Sequence, residues 1–332
     1  AKYRDWILEY VGAWRQRVLD NDGIIPTNIG PDGKIGSAAG GKWYGGVYGW
    51  GFSVEVPQTK QLAHRNTHHL GLTGFGNAYL LTGDDRWLDP WRRMIDKINA
   101  QGKKTERGVM TYPHMHGDKG WYDFTPAKYA HGAEKIWYWS MKDSDLARLP
   151  QSGWVGFLQG KNPNFPEQAL RQDLETIRKR VAGLRADAST PDTRLADDSM
   201  KFNPATVANL VHLTLGGLHH GNRTLVLHAR VRYFDPDTRR PGLPADVAAL
   251  VAKMTADETV LTLVNVSPIH ARRVIVQAGA YGEHRFTTAT AGDTTLAVDG
   301  RYVEVELAPG AGAQIKLGTK RYANPPTLDW PW

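Results

Sequence analysis

Apolar positions recur at helical spacing over residues 4–20, where Trp6, Ile7, Tyr10, Val11, Trp14 and Val18 share one face and Asn21-Asp22-Gly23 ends the run. A second helix is expected over 66–82, carried by Leu70, Leu72, Phe75, Tyr79 and Leu81, with Gly71, Gly74 and Gly76 permitting close packing. A third follows over 86–100 through Trp87, Leu88, Trp91, Met94, Ile95 and Ile98, with Pro90 in its tolerant first turn. Shorter or more polar patterns predict helices over 132–141, 166–186 and 204–215, the last of them buried, with a polar linker at 187–203. At Gly216-Gly217 the period changes from helical to alternating. Residues 223–233 place Leu225, Leu227, Ala229 and Val231 on one side and His228, Arg230 and Arg232 on the other. Further strands are expected at 259–266, 273–278, 283–288, 302–307 and 313–317. The fold class is therefore α+β and multidomain, a helical part over residues 1–217 followed by an antiparallel β-sheet or sandwich over 218–332.

Two stretches fit neither period. Residues 22–56 and 102–132 read as loops, rich in glycine and aromatic side chains. Long irregular segments inside a folded chain are usually functional or disordered, and these are too aromatic for disorder. The chain holds 12 Trp and 13 Tyr, whose flat apolar faces and polar edges suit the C–H faces of sugar rings. A net charge of +7 favours acidic partners. The basic residues are spread along the chain and form no stripe, so a nucleic-acid partner is not expected. There is no cysteine, and no apolar run long enough for a membrane span. The start at Ala1-Lys2-Tyr3-Arg4 leads us to expect a processed form or part of a longer protein, and the overall reading is of a secreted or periplasmic protein.

The segment LTGDDRWLDPWRRMIDKI, residues 81–98, resembles the helical hairpin that recurs in (α/α)-toroid carbohydrate-active enzymes. Helices followed by antiparallel β structure are similar to the heparinase II/III-like and alginate-lyase-like polysaccharide lyases. The resemblance implies an (α/α)-toroid-like domain over 1–217 and cleavage of an acidic, uronic-acid-containing glycan by β-elimination. The Asn-Asn-His element of those lyases is matched by Arg65-Asn66-Thr67-His68-His69, with Thr67 in place of the second Asn. Six expected helices are too few for a closed toroid. An incomplete toroid, with a missing N-terminal part of the same protein as its partner, follows as the expectation.

An elimination needs a group that neutralises the sugar carboxylate, a base for the adjacent C–H, and an acid for the leaving oxygen. Arg65, Asn66, His68 and His69 are candidates for the first task, His69 also for catalysis. Tyr112, His114 and His116 alternate, so an extended chain presents them on one side. They are candidates for base and acid together with Tyr122 and Tyr129. His114-x-His116 with Asp118 is equally a possible divalent-metal site. Trp43, Tyr44, Trp50 and Trp121 are candidates for stacking on sugar, and Arg230 for pairing with an acidic group. A glycoside hydrolase would instead use two carboxylates among Asp32, Glu55, Asp123 and Glu134. A non-catalytic glycan-binding protein is the third reading. The lyase reading predicts that segments 40–52, 111–131 and 66–69 converge on one cleft.

Overall fold

The computed structural model describes residues 2–46, 49–64, 70–190, 203–219 and 226–332. The chain forms two compact units, Ala1–Pro150 and Gln151–Trp332. The change of period at residue 217 thus falls inside the second unit.

The first unit opens with α1 (Lys2–Asp20), followed by the Gly-rich segment and a small hairpin, β1 (Ser53–Glu55) and β2 (Leu62–His64). Asp22 and Gly23, both with positive φ, stop α1, and the Gly23 amide donates to Val18 O at 2.9 Å. Of the apolar face read from the sequence, only Val11 and Val18 are buried, while Trp6 and Tyr10 stay largely exposed.

The expected hairpin follows as α2 (Gly71–Thr82), a single 3-10 turn at Asp85–Trp87, and α3 (Asp89–Asn99). Thr82 Oγ1 fixes its turn by accepting from the Trp87 indole at 3.0 Å and the Asp84 amide at 3.2 Å. Gly76 lets the Trp139 ring pack where any Cβ would collide with it, as the small-sided pattern of this helix predicts.

Residues 102–132 depart from the loop expected of them. They fold as β3 (Lys103–Lys104), β4 (Met110–Gly117) and β5 (Gly120–Thr125), a three-stranded antiparallel sheet. Then come α4 (Ala133–Ser140), near its expected place, and a short α5 (Asp143–Leu146).

Asp145 ties these elements together. It is wholly buried and accepts from Arg92 Nε at 2.9 Å and Nη2 at 2.7 Å, from Arg148 Nη1 at 2.9 Å and from Ser140 Oγ at 2.6 Å. The other side of Arg92 grips Asp85 through Nη1 at 2.6 Å and Nη2 at 2.9 Å. That grip, seconded by Lys142, holds the Asp85 carboxyl down at about 2.

The second unit begins with α6 (Gly153–Leu158), α7 (Phe165–Ala186) and α8 (Ala208–Leu215). Only Leu213 of α8 is buried, against the expectation of a buried helix. Nine strands follow among the described residues: β6 (Val231–Asp235), β7 (Arg240–Pro241), β8 (Val247–Met254), β9 (Glu258–Asn265), β10 (Arg272–Ala278), β11 (Arg285–Ala291), β12 (Thr294–Gly300), β13 (Tyr302–Leu307) and β14 (Gly312–Lys320). They form a four-stranded sheet ordered β13-β10-β6-β7 and a five-stranded sheet ordered β12-β11-β14-β9-β8, with every pairing antiparallel. Strand alternation sends Val274 and Val276 of β10 and Leu261 and Leu263 of β9 into the core.

The (α/α)-toroid is overturned. The described residues hold eight α-helices, several of a single turn or two, fewer than a closed ring of six hairpins contains. After α3 the chain turns into a sheet rather than another helical hairpin. The molecule is a mixed α+β fold. The strand expected at 223–233 also shifts: residues 220–225 lie outside the described residues, and β6 starts at Val231.

Asp145→Ala leaves two guanidinium groups poorly compensated, and removing one partner from such a buried network costs about 3–5 kcal/mol. Urea unfolding of the variant should show a loss of that order. A loss under about 1 kcal/mol would mean that the network is no more than a surface ion pair.

Candidate functional site

The two aromatic segments expected to converge do so in the first unit. Trp50 is wholly buried, and its indole N–H donates to Ile25 O at 3.0 Å. Its ring lies 6.3 Å from Trp43, 5.8 Å from Trp121 and 6.2 Å from Tyr129. His116 is enclosed by Trp43 at 4.6 Å, Tyr44 at 4.7 Å and Trp121 at 4.8 Å between ring centroids. Trp43, Tyr44 and Trp50 and the β4–β5 hairpin thereby make one aromatic wall.

Local sequence explains the approach. Gly51 has φ +83°, and a Cβ there would meet His116 O at 2.6 Å, so no other residue lets the loop lie this close to β4. The Asn28 side-chain amide donates to Lys42 O at 3.3 Å and to Tyr44 O, holding the loop from behind.

Beside the wall opens a cleft of about 630 Å³, lined among others by Lys42, Tyr44, Trp50, Asp118, Lys119 and Tyr122. Asp118 sits in the hairpin turn and accepts from Lys42 Nζ at 2.7 Å and from Tyr44 Oη at 2.9 Å. The hydrogen bonds to Lys42 and Tyr44 lower the Asp118 pKa, while the same bonds to Asp118 raise those of its two donors. Lys119 makes no ion pair among the described residues. Two lysines against one carboxylate leave the cleft net positive. Tyr122 Oη lies 3.1 Å from Ser53 Oγ.

The remaining candidates are distributed differently. Tyr112, His114 and His116 do share the face of β4 opposite buried Met115, as alternation requires. Only His116 belongs to the wall. His114 Nε2 is engaged with Thr125 Oγ1 at 3.0 Å and Ala127 O at 3.1 Å, and Tyr112 packs under Lys128. Tyr129 is 3% exposed, and burial pushes its phenol pKa upward, so it is a core residue and not an accessible acid.

Arg230 is corrected as well. It is 1% exposed inside the second unit, where Nη2 donates to Thr255 O at 2.8 Å, because it precedes β6 and is not on an open sheet face. Arg65, Asn66, His68 and His69 lie outside the described residues. No three His, Asp or Glu side chains gather as a metal site among the described residues. Asp118, the third ligand envisaged beside His114 and His116, is taken by Lys42 and Tyr44. Lys42 and Lys119 are not among the residues expected at the site from sequence. Their one signal was position, Lys42 beside Trp43-Tyr44 and Lys119 in the turn after His116.

The chain belongs to a family described as a domain of unknown function (DUF8034), whose model matches residues 1–109 and 150–211, just over half of the chain. The match includes the 42–50 segment and stops short of the β4–β5 hairpin. No curated protein and no solved structure matches the chain.

Burial lowers the pKa of His116 below the ordinary 6.5. Its folded value is then the lower one, so the unfolded chain takes the proton more readily. Stability from neutral His116 is intact above pH 6.5 and is lost as pH falls through the window below it. An NMR titration of the histidine ring signals should show the His116 midpoint under 6.5. A midpoint at or above that value would show the imidazole to be solvated instead.

Proposed function

We propose that the chain binds an acidic saccharide in the Tyr44–Tyr122 cleft and acts on it as a polysaccharide lyase, by β-elimination. The observation that supports this reading is the convergence of two aromatic segments on a cleft with two lysines and one engaged carboxylate. Aromatic faces take the C–H side of a pyranose. Lys42 and Lys119 neutralise a uronate carboxylate, which makes the neighbouring C–H more acidic. Tyr122 then carries the proton. Its phenol O–H passes to the glycosidic oxygen as that C–O bond breaks, while the phenol oxygen takes the hydrogen from the carbon bearing the carboxylate, so the phenol is regenerated. The electron pair of the C–H bond becomes the new C=C bond, and no external reactant is needed.

A hydrolase requires two carboxylates across the bond, and among the described residues the one carboxylate lining the cleft is Asp118. Asp32 is held by Ser37 and the Lys34 amide, and Glu55 pairs with Lys60. Neither lines the cleft. A purely binding role is favoured by one observation: His114, an expected base, is committed to Thr125 and Ala127.

A panel of uronic-acid polysaccharides, followed by the ultraviolet absorbance of the unsaturated product, separates these readings. Turnover should fall about 10²–10⁴-fold in Tyr122→Phe, the range for removing an acid–base group, with binding retained. Binding without any absorbance change in the wild type would leave the binding role and refute the lyase. No binding to any member of the panel would refute both.

A further inference from the structure

A second, smaller cavity of about 210 Å³ is lined by Asn21, Asp22, Ile24, Trp43, Lys97, Gln101, His116 and Trp121. It shares no lining residue with the cleft. We infer that this cavity is a subsite for a single neutral sugar ring. The inference rests on the saccharide reading of the aromatic wall and assigns it a second, chemically different occupant.

Size is the first argument. Pockets for drug-sized ligands span roughly 300–1,000 Å³, so this cavity has room for one six-membered ring and not for two.

Unspent hydrogen-bonding capacity is the second. His116 Nδ1 is buried without a partner, and neither ring nitrogen makes a hydrogen bond among the described residues. Held neutral by burial, the imidazole offers one donor and one acceptor. The Gln101 amide and the Trp43 and Trp121 indole N–H groups likewise make no hydrogen bond among the described residues. Sugar hydroxyls both donate and accept, so they satisfy such a mixture, whereas a ligand of one polarity does not.

Charge is the third argument. Lys97 Nζ meets Asp22 Oδ2 at 2.5 Å, which leaves the cavity neutral, in contrast to the net positive cleft. Asp22 adopts φ +55°, a left-handed conformation uncommon outside glycine, and this places it at the cavity rim. Trp43 and Trp121 supply aromatic faces for the ring.

Tryptophan-emission titrations of the intact chain with D-glucose, D-galactose and D-mannose test this directly. At least one hexose should bind, and its affinity should weaken by about tenfold or more in Gln101→Ala and in His116→Phe. The cleft variant Lys119→Ala should bind it as the wild type does. Gln101 follows the end of α3 and is not a core residue, so its variant carries the test if His116→Phe folds poorly. No binding of any of the three hexoses, or unchanged affinity in Gln101→Ala, would overturn the inference. Acidic polysaccharides titrated into the same samples distinguish the two failures. If they still bind, only the subsite falls; if they do not, the saccharide reading of the whole wall falls with it.

Discussion

The burial of Trp50 is the constraint on which the rest of the site depends. A segment as rich in glycine as residues 23–51 loses much backbone entropy on ordering. Little in its local sequence offsets that loss, since within the described part it forms no strand and no helix. A fully buried indole, hydrogen-bonded to Ile25 O and packed on Trp43 within the segment and on Trp121 and Tyr129 beyond it, supplies the compensation. Gly51 makes this possible, because the loop can reach β4 only where no Cβ intervenes.

With the loop fixed, everything else at the site follows from which way the wall residues face. Lys42 and Tyr44 are carried to the hairpin turn and meet Asp118. His116 is enclosed by three rings, loses solvent and stays neutral. The same wall therefore borders two cavities of opposite character, an open one with surplus positive charge and a small one with none. A polymer that alternates acidic and neutral sugars would find a matching surface there. The Arg92–Asp145 network does a separate job, binding α3, α4 and α5 into the support behind the site.

Much of this was legible in the sequence, and the failures have identifiable causes. Long helices with strong periodicity, α1, α3 and α7, lie close to their expected places, as do β9, β10 and β13. β8 was missed because its alternation is interrupted by a bulge between Val251 and Lys253, and β12 because it is a largely exposed edge strand with few apolar residues to alternate. The hairpin at 110–125 was read as loop since both its faces carry aromatics and polar groups together. The toroid expectation came from the 81–98 segment. That segment does form a helical hairpin, but a hairpin fixes only its own turn and says nothing of what is packed next. Convergence of 40–52 with 111–131 is expected from their shared wealth of aromatic and polar side chains at helix ends, and the contacts of Trp43, Tyr44 and Trp50 with His116 and Trp121 occur without the toroid mouth that motivated the expectation. The distinction between His116 in the wall, His114 tied to the backbone and Tyr129 in the core depends on packing, which no spacing rule encodes.

A crystal structure of the chain soaked with a short uronic-acid oligosaccharide would test the central claim most directly. The account predicts density in the Tyr44–Tyr122 cleft, with a sugar carboxylate within hydrogen-bonding distance of Lys42 or Lys119 and a ring face against an aromatic side chain. An ordered oligosaccharide bound elsewhere, with the cleft empty, would contradict it.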